Sequence, residues 1–339
     1  MKFIAGLLVL FAVAAAPSGC GGGSDGPLTV YSGREEELVA PLFDIFTEET
    51  GIEVEVRYGD SAELAATIAE EWENSPADVF FAQDPGSLGA VESQLAELPQ
   101  GILDRVDPRF RDDEGRWVGT SGRSRVIVYN TEALSEDEVP DSVFDLIDPT
   151  ILGLKSIGRI GIAPTNASFQ AFVTAMRLSA GDERTRQWLL DLRELEPREY
   201  EKNTPIVEAV AAGEIDLGLV NHYYLYLVKQ EQPDAPIANH FLEAGDPGAL
   251  VSVAGAAVLS SSDQEDDARR FVEYLLSDAG QRFYVEHAEE AEYPLVEGID
   301  PKEGLPPLDE LEGPDVDLTS FGAEHEATIE LLRETGYLT

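Results

Sequence analysis

Gly213-Glu214-Ile215-Asp216-Leu217-Gly218-Leu219-Val220-Asn221-His222-Tyr223-Tyr224-Leu225-Tyr226 reads as a turn, a short apolar run and the start of a helix. The apolar run is the length of a buried strand and is bounded by turn residues. Two adjacent tyrosines stand at its carboxyl end. On a continuing strand they would face opposite ways, but at a strand-to-helix junction both phenols can face one cleft. Two phenolates form a pair of hard anionic oxygens, suited to a hard, highly charged cation such as Fe(III). The same rings also suit a core or cleft wall with no metal role, and the rest of the chain has to decide.

The same order of strand, small or polar turn and helix start recurs along the chain. Residues 28–32 read as a strand, Gly33 as a turn, and 34–50 as a helix with Leu38, Leu42, Ile45 and Phe46 on one face, ended by Gly51. Val54, Val56 and Tyr58 alternate with charged residues as a strand, and Asp60-x-x-Glu63 opens a helix carrying Leu64, Ile68 and Trp72. A buried strand at 76–83 and a short helix near 88–92 complete a unit of parallel type. Further strands are expected at 123–130, 160–163, 217–221 and 250–259. Asn166 can cap a helix at 167–178, and helices follow at 182–193, 204–213 and 325–335. Residues 131–155 read as loop with a short helix, 262–287 as one long helix or two broken at Gly280, and 293–320 as Pro-rich and irregular. In such α/β folds ligands sit at the carboxyl ends of strands, against helix N-termini. Four such places stand out: 33–36, Gln83–Asp84, 166–168 and 221–224.

The 339 residues suffice for two domains, and the 43% hydrophobic content supports real cores. The 66 acidic residues against 23 basic ones, only five of them Lys, give a formal charge of −43. That surface would repel the phosphates of nucleic acid and argues against it as a partner. It suits a salty medium that screens the self-repulsion.

Lys2 followed by the apolar stretch 4–16 has the length of a signal sequence and is too short to cross a bilayer. Pro17-Ser18-Gly19-Cys20 resembles a lipoprotein cleavage site, and Cys20 is the single cysteine. Residues 1–19 are therefore expected to be removed, and 20–26 to form a lipidated Cys20 and a flexible tether holding the chain at the extracytoplasmic face of the membrane. The G-x-S-x-G at Gly22–Gly26 lies in that tether, without the strand-turn-helix setting a nucleophile needs. No other nucleophile–base set appears, so an exported hydrolase is disfavoured. The four histidines lack metal spacing, and His222 is expected to be exposed or capping.

Val30-Tyr31-Ser32-Gly33, Ser75-Pro76-Ala77-Asp78-Val79-Phe80, Ser121-Gly122-Arg123-Ser124-Arg125-Val126 with Val128-Tyr129-Asn130, Ala163-Pro164-Thr165-Asn166, Asn221-His222-Tyr223-Tyr224 and Glu292-Tyr293-Pro294-Leu295-Val296 form a specific set. Together they resemble the Fe(III)-binding solute receptors of bacterial ABC importers, the ferric-binding protein family, over essentially the whole mature chain. The resemblance implies an α/β, two-lobe, hinged periplasmic-binding-protein fold of type II with two crossover strands, near 124–129 and 251–256. Lobe 1 is then 27–125 plus about 254–285, and lobe 2 about 126–253 plus 286–339. Tyr223 and Tyr224 match the paired iron-binding tyrosines. Asn166, Ala167 and Ser168 match a helix N-terminus that holds a synergistic phosphate or carbonate, where exposed N–H groups and the helix dipole favour an anion. Asn203 and Asn221 match side chains lining that anion site.

The chain also departs from the family. Where many members supply a His after the first strand it has Glu35, and where many supply a Glu after the third strand it has Gln83, followed by Asp84 in the cleft. Glu35 or Glu36 can offer a carboxylate to the metal, or serve as a first-turn acidic pair. Arg123 and Arg125 either face the anion or belong to the hinge. The implied function is a monomeric, lipid-anchored receptor that passes Fe(III) to an ABC permease and its ATPase, not an enzyme. The alternative is a receptor for a phosphorylated or other small organic solute on the same fold.

Overall fold

The computed structural model describes residues 26–148, 157–286 and 291–339. The signal segment, Cys20 and nearly all of the tether lie outside these residues, as does the end of the loop expected at 131–155.

In chain order the elements are β1 (Leu28–Ser32), α1 (Glu36–Thr50), β2 (Val54–Tyr58), α2 (Ser61–Glu71), β3 (Val79–Ala82), α3 (Pro85–Ala90), α4 (Gln100–Leu103), β4 (Trp117–Asn130), β5 (Ile160–Ile162), α5 (Ala167–Ala180), α6 (Asp182–Glu194), β6 (Arg198–Glu199), α7 (Asn203–Ala211), β7 (Leu217–Asn221), α8 (Tyr224–Glu231), β8 (Ile237–His240), β9 (Val251–Val258), α9 (Glu265–Leu275), α10 (Asp278–Glu286) and α11 (Phe321–Glu334). Local chemistry explains many boundaries. Gly51 ends α1 in the left-handed conformation, φ 75°, with its N–H on Thr47 O. Asp60 accepts hydrogen bonds from the N–H groups of Ala62 and Glu63 to open α2.

The strands form one mixed sheet in the order β2-β1-β3-β9-β4-β7-β5-β6, with β8 also on β4. β1 is parallel to β2 and β3, and β7 is parallel to β5. β4 is buried along its whole length and joins the two parallel parts. Its first part, to Ser124, pairs antiparallel with β9, and from Arg125 it pairs antiparallel with β7. The partner therefore changes between Ser124 and Arg125.

The apolar cores divide along the same line. Trp117 and Val118 of β4 join the core of β1, β2, β3 and β9. Val126, Ile127, Val128 and Tyr129 join cores built on β5, β7, α5 and α7. Of the C-terminal stretch, Tyr293, Leu295, Leu311, Leu318 and Phe321 pack into the first core, while Leu331, Leu332 and Tyr337 pack into the second. α11 thus reaches both.

Three sequence expectations change. β4 begins at Trp117, six residues before the expected start, and β8 was not expected at all. The helical stretch after β9 breaks at Leu276–Ser277 and not at Gly280, which lies inside α10. Ser277 Oγ accepts the Gly280 N–H at 3.1 Å, so a serine supplies the start signal there.

Candidate functional site

β7 ends at Asn221, and the chain turns through His222 and Tyr223 into α8. The two phenol rings lie 4.4 Å apart between centroids, tilted by 33°. Tyr223 is buried and Tyr224 half-buried. Both stand at the start of α8, where the helix leaves the sheet.

Beside them lies Arg125, the first β4 residue paired with β7, only 2% exposed. Its Nη1 donates to Ser168 Oγ at 3.1 Å and Asn221 Oδ1 at 3.2 Å, and reaches Asn203 Oδ1 at 3.5 Å. Its Nη2 donates to Leu219 O at 2.9 Å, and the guanidinium lies 5.4 Å from the centre of the Phe172 ring. Burial pulls its pKa down to about 10, opposed by the nearby phenols of Tyr224 and Tyr223. It remains a cation at neutral pH, within electrostatic reach of both tyrosines.

Asn166 caps α5, its Oδ1 taking the Ser168 N–H at 3.0 Å and the Ser168 hydroxyl at 2.6 Å. Asn203 Nδ2 donates to the same Oδ1 at 3.2 Å and to Ser168 Oγ at 3.1 Å. Asn166, Ser168, Asn203, Asn221 and Arg125 thus form one connected polar cluster. The α5 N-terminus opens from it, with Ala167 exposed at its first position. Backbone donors, a helix dipole and a buried cation converge here, a setting that favours an oxyanion.

The other sequence candidates are placed differently. Arg123 is buried and donates to the backbone carbonyl of Gln83, with its Nε 4.0 Å from Glu292. Gln83 also uses its N–H on Ser61 Oγ at 2.9 Å. Asp84 caps α3 through Ser87, taking its N–H at 2.8 Å and its hydroxyl at 2.9 Å. Glu35 and Glu36 are exposed at the start of α1, and Glu35 makes no side-chain capping bond.

His222 corrects the expectation of an exposed or capping residue, for it is wholly buried. Its Nδ1 accepts the Ser124 N–H at 3.1 Å and its Nε2 donates to Ala291 O at 2.9 Å. Burial drives its pKa down to about 4, against the opposing pull of its bond to Ala291 and the charge of Glu292. A neutral ring with both nitrogens engaged is a spacer between β4 and residue 291, not a metal ligand. Among the described residues no group of three or more His, Cys, Asp or Glu side chains could hold a metal ion.

One cluster overturns a sequence expectation, for the acidic run that ends at Glu292 reads as a solvated face. Glu292, fully buried, receives two 3.0 Å bonds from Arg34 and one of 2.6 Å from Ser121 Oγ. Burial pushes its pKa up, but Arg34 and Arg123 outweigh that and hold it below the usual carboxylate range. Arg34 and Glu292 are 258 residues apart, so no local pattern could pair them.

Comparison with known proteins places the chain in a family. Residues 74–310 match the family model described as "Bacterial extracellular solute-binding protein". The major ferric iron-binding protein of Neisseria meningitidis is 36% identical over 315 residues, 91% of this chain and 92% of its own. The Fe(3+)-binding periplasmic protein of Serratia marcescens is 32% identical over 93% of this chain and 92% of its own. Iron-bound HitA from Pseudomonas aeruginosa superposes with a TM-score of 0.82 at 35% identity, covering 91% of this chain and 99% of that one. The chain therefore belongs to the bacterial extracellular solute-binding proteins, a family of binding proteins and not of enzymes, in the group that includes the ferric iron-binding proteins.

Proposed function

We propose that this protein captures Fe(III) with an accompanying oxyanion outside the cytoplasmic membrane and hands it to an ABC permease driven by its ATPase. The observation that carries this is the stacked Tyr223–Tyr224 pair beside the Arg125 cluster. The names of the relatives support it: proteins similar over more than nine-tenths of this chain are called ferric iron-binding. Tyr223 and Tyr224 bind the metal as phenolates. Asn166, Ala167, Ser168, Asn203, Asn221 and Arg125 hold the anion, phosphate or carbonate. Fe(III), two phenolates and the Arg125 guanidinium together leave a double positive charge in a half-buried site. A bound oxyanion offsets it, since uncompensated buried charge is strongly unfavourable.

Glu35 or Glu36 reaches the metal only if the two halves of the molecule approach each other. We place that motion at the change of partner along β4, with β9 as the second crossing strand, in the manner of hinged receptors. The protein works as a monomer, tethered through a lipidated Cys20.

The test is titration of the metal-stripped chain with Fe(III)-citrate, following the visible tyrosinate-to-iron charge-transfer band. A band that saturates at one iron per chain and vanishes in Tyr223→Phe supports the reading. No band with phosphate or carbonate present overturns it, and a phosphorylated organic solute then becomes the ligand to seek.

A further inference from the structure

The strip 291–295 lies across β4 and touches both sides of the candidate site. Gly122 and Tyr293 exchange backbone bonds of 2.8 and 2.9 Å. Toward the tyrosines, Ala291 O takes the His222 Nε2 bond, and the Tyr293 ring packs against His222 at a tilt of 47° with centroids 4.9 Å apart. Ala291 holds this position at φ 50°, a conformation non-glycine residues seldom adopt. Toward the opposite side, Glu292 binds Arg34, at the entry to α1, and Ser121 of β4. Arg123, 4.0 Å from the same carboxylate, is fixed at its other end to Gln83 at the end of β3. Three arginines, Arg34, Arg123 and Arg125, are thus buried, the first two against Glu292 and the third beside the tyrosines. The Glu292 carboxylate meets both Arg34 and Arg123.

We infer that Glu292 is a positioning residue that seats both sides of the site and cancels one arginine charge so that a trivalent cation can enter. It is not itself a ligand, because its oxygens are taken by Arg34 and Ser121 and it has no exposed surface. The inference rests on the iron reading above. Its physical content is a sign. Removing one buried negative charge raises the local positive potential, which disfavours Fe(III) and favours an anion in the same site. Loss of structure would weaken both.

The experiment uses Glu292→Gln in the full mature chain, which keeps the side chain's shape and an acceptor for Ser121. Fe(III)-citrate is titrated by the charge-transfer band, and inorganic phosphate is titrated calorimetrically into the iron-free protein. Iron affinity is expected to fall at least ten-fold while phosphate affinity rises several-fold. Glu292→Asp, which keeps the charge, should stay within a few-fold of the unsubstituted chain in both titrations. Adding Arg34→Gln to Glu292→Gln removes one buried positive charge and should restore the original ratio of the two affinities. Parallel weakening of both ligands, or no change in either, overturns the inference. If the unsubstituted chain shows no iron band, the receptor reading fails on its own. The phosphate titration still decides the role of Glu292: tightening supports it, and weakening or no change overturns it.

Discussion

Arg125 sits where four short-range choices meet: the last strand residue of β7 (Asn221), the cap of α5 (Asn166, through Ser168), the first turn of α7 (Asn203) and the partner change of β4. Arg125→Gln leaves Leu219 O and Asn221 Oδ1 without their buried donor. We expect a stability loss of about 2–4 kcal/mol, read by urea unfolding, and a phosphate affinity lowered by roughly ten- to a hundred-fold. The tyrosines make a separate prediction. Each phenol must lose its proton to bind the metal, so iron uptake near neutral pH should release about two protons from the pair in the unsubstituted chain and about one in Tyr224→Phe. A weakly buffered titration with a pH indicator measures this, and equal release by both proteins rejects Tyr224 as a ligand. At this scale local chemistry marked Asn166 and Ser168 at a helix start and Asn221 at a strand end, whereas Asn203 was named only by the family resemblance and Arg125 was left between the anion and the hinge. It could not foresee that His222 is wholly buried, since a histidine's surroundings are set by distant segments, here Ser124 and Ala291.

Among the elements, β4 departs most from expectation. Its first part contains Gly119, Thr120, Ser121 and Gly122, a stretch to which the sequence reading assigned no element. They form strand by pairing with β9, and the two glycines sit where neighbours come too close for a larger side chain. A Cβ on Gly119 would stand 2.7 Å from Phe110 O and 2.9 Å from Leu295 Cδ1, beside the register shift in the β4–β9 pairing. Gly119→Ala should therefore destabilise by about 1–3 kcal/mol in chemical unfolding, although alanine favours most strands and helices over glycine. Another element-level device is Asp78, which takes the Thr29 N–H of β1 at 2.8 Å and the Ser262 hydroxyl, after β9, at 2.5 Å. Burial raises its pKa despite these two bonds. A carboxyl whose folded pKa lies above its unfolded value binds protons more readily in the native state, so its contribution to stability declines as pH rises through that window. Asp78→Asn should show a flatter decline between about pH 4 and neutrality than the unsubstituted chain. Identical slopes would reject this account.

Across the whole molecule, charge dominates. A formal charge of −43 on one chain means long-range self-repulsion that salt screens. The thermal midpoint of the iron-free chain should rise steadily from low salt to molar sodium chloride. A flat or falling response would show that the local ion pairs, such as Arg177 with Glu324 and Arg159 with Asp216, outweigh the global repulsion. The division of cores along β4 belongs to this scale too. The same strand that separates them carries Arg123 on one side of the partner change and Arg125 on the other. A relative movement of the two cores would therefore act directly on both arginines.

The α/β class, most of the element order and the clustering of polar residues at strand ends were legible in the chain, because period, capping and turn chemistry act over a few residues. The strongly acidic charge followed from composition alone, since net charge does not depend on fold. Folding alone paired Arg34 with Glu292, buried His222 between two distant backbone segments and turned a glycine-rich stretch into the first part of the central strand. Those features arise from contacts between residues as far as 258 positions apart, where the deciding quantities are burial and close approach, which no local pattern in a single sequence encodes.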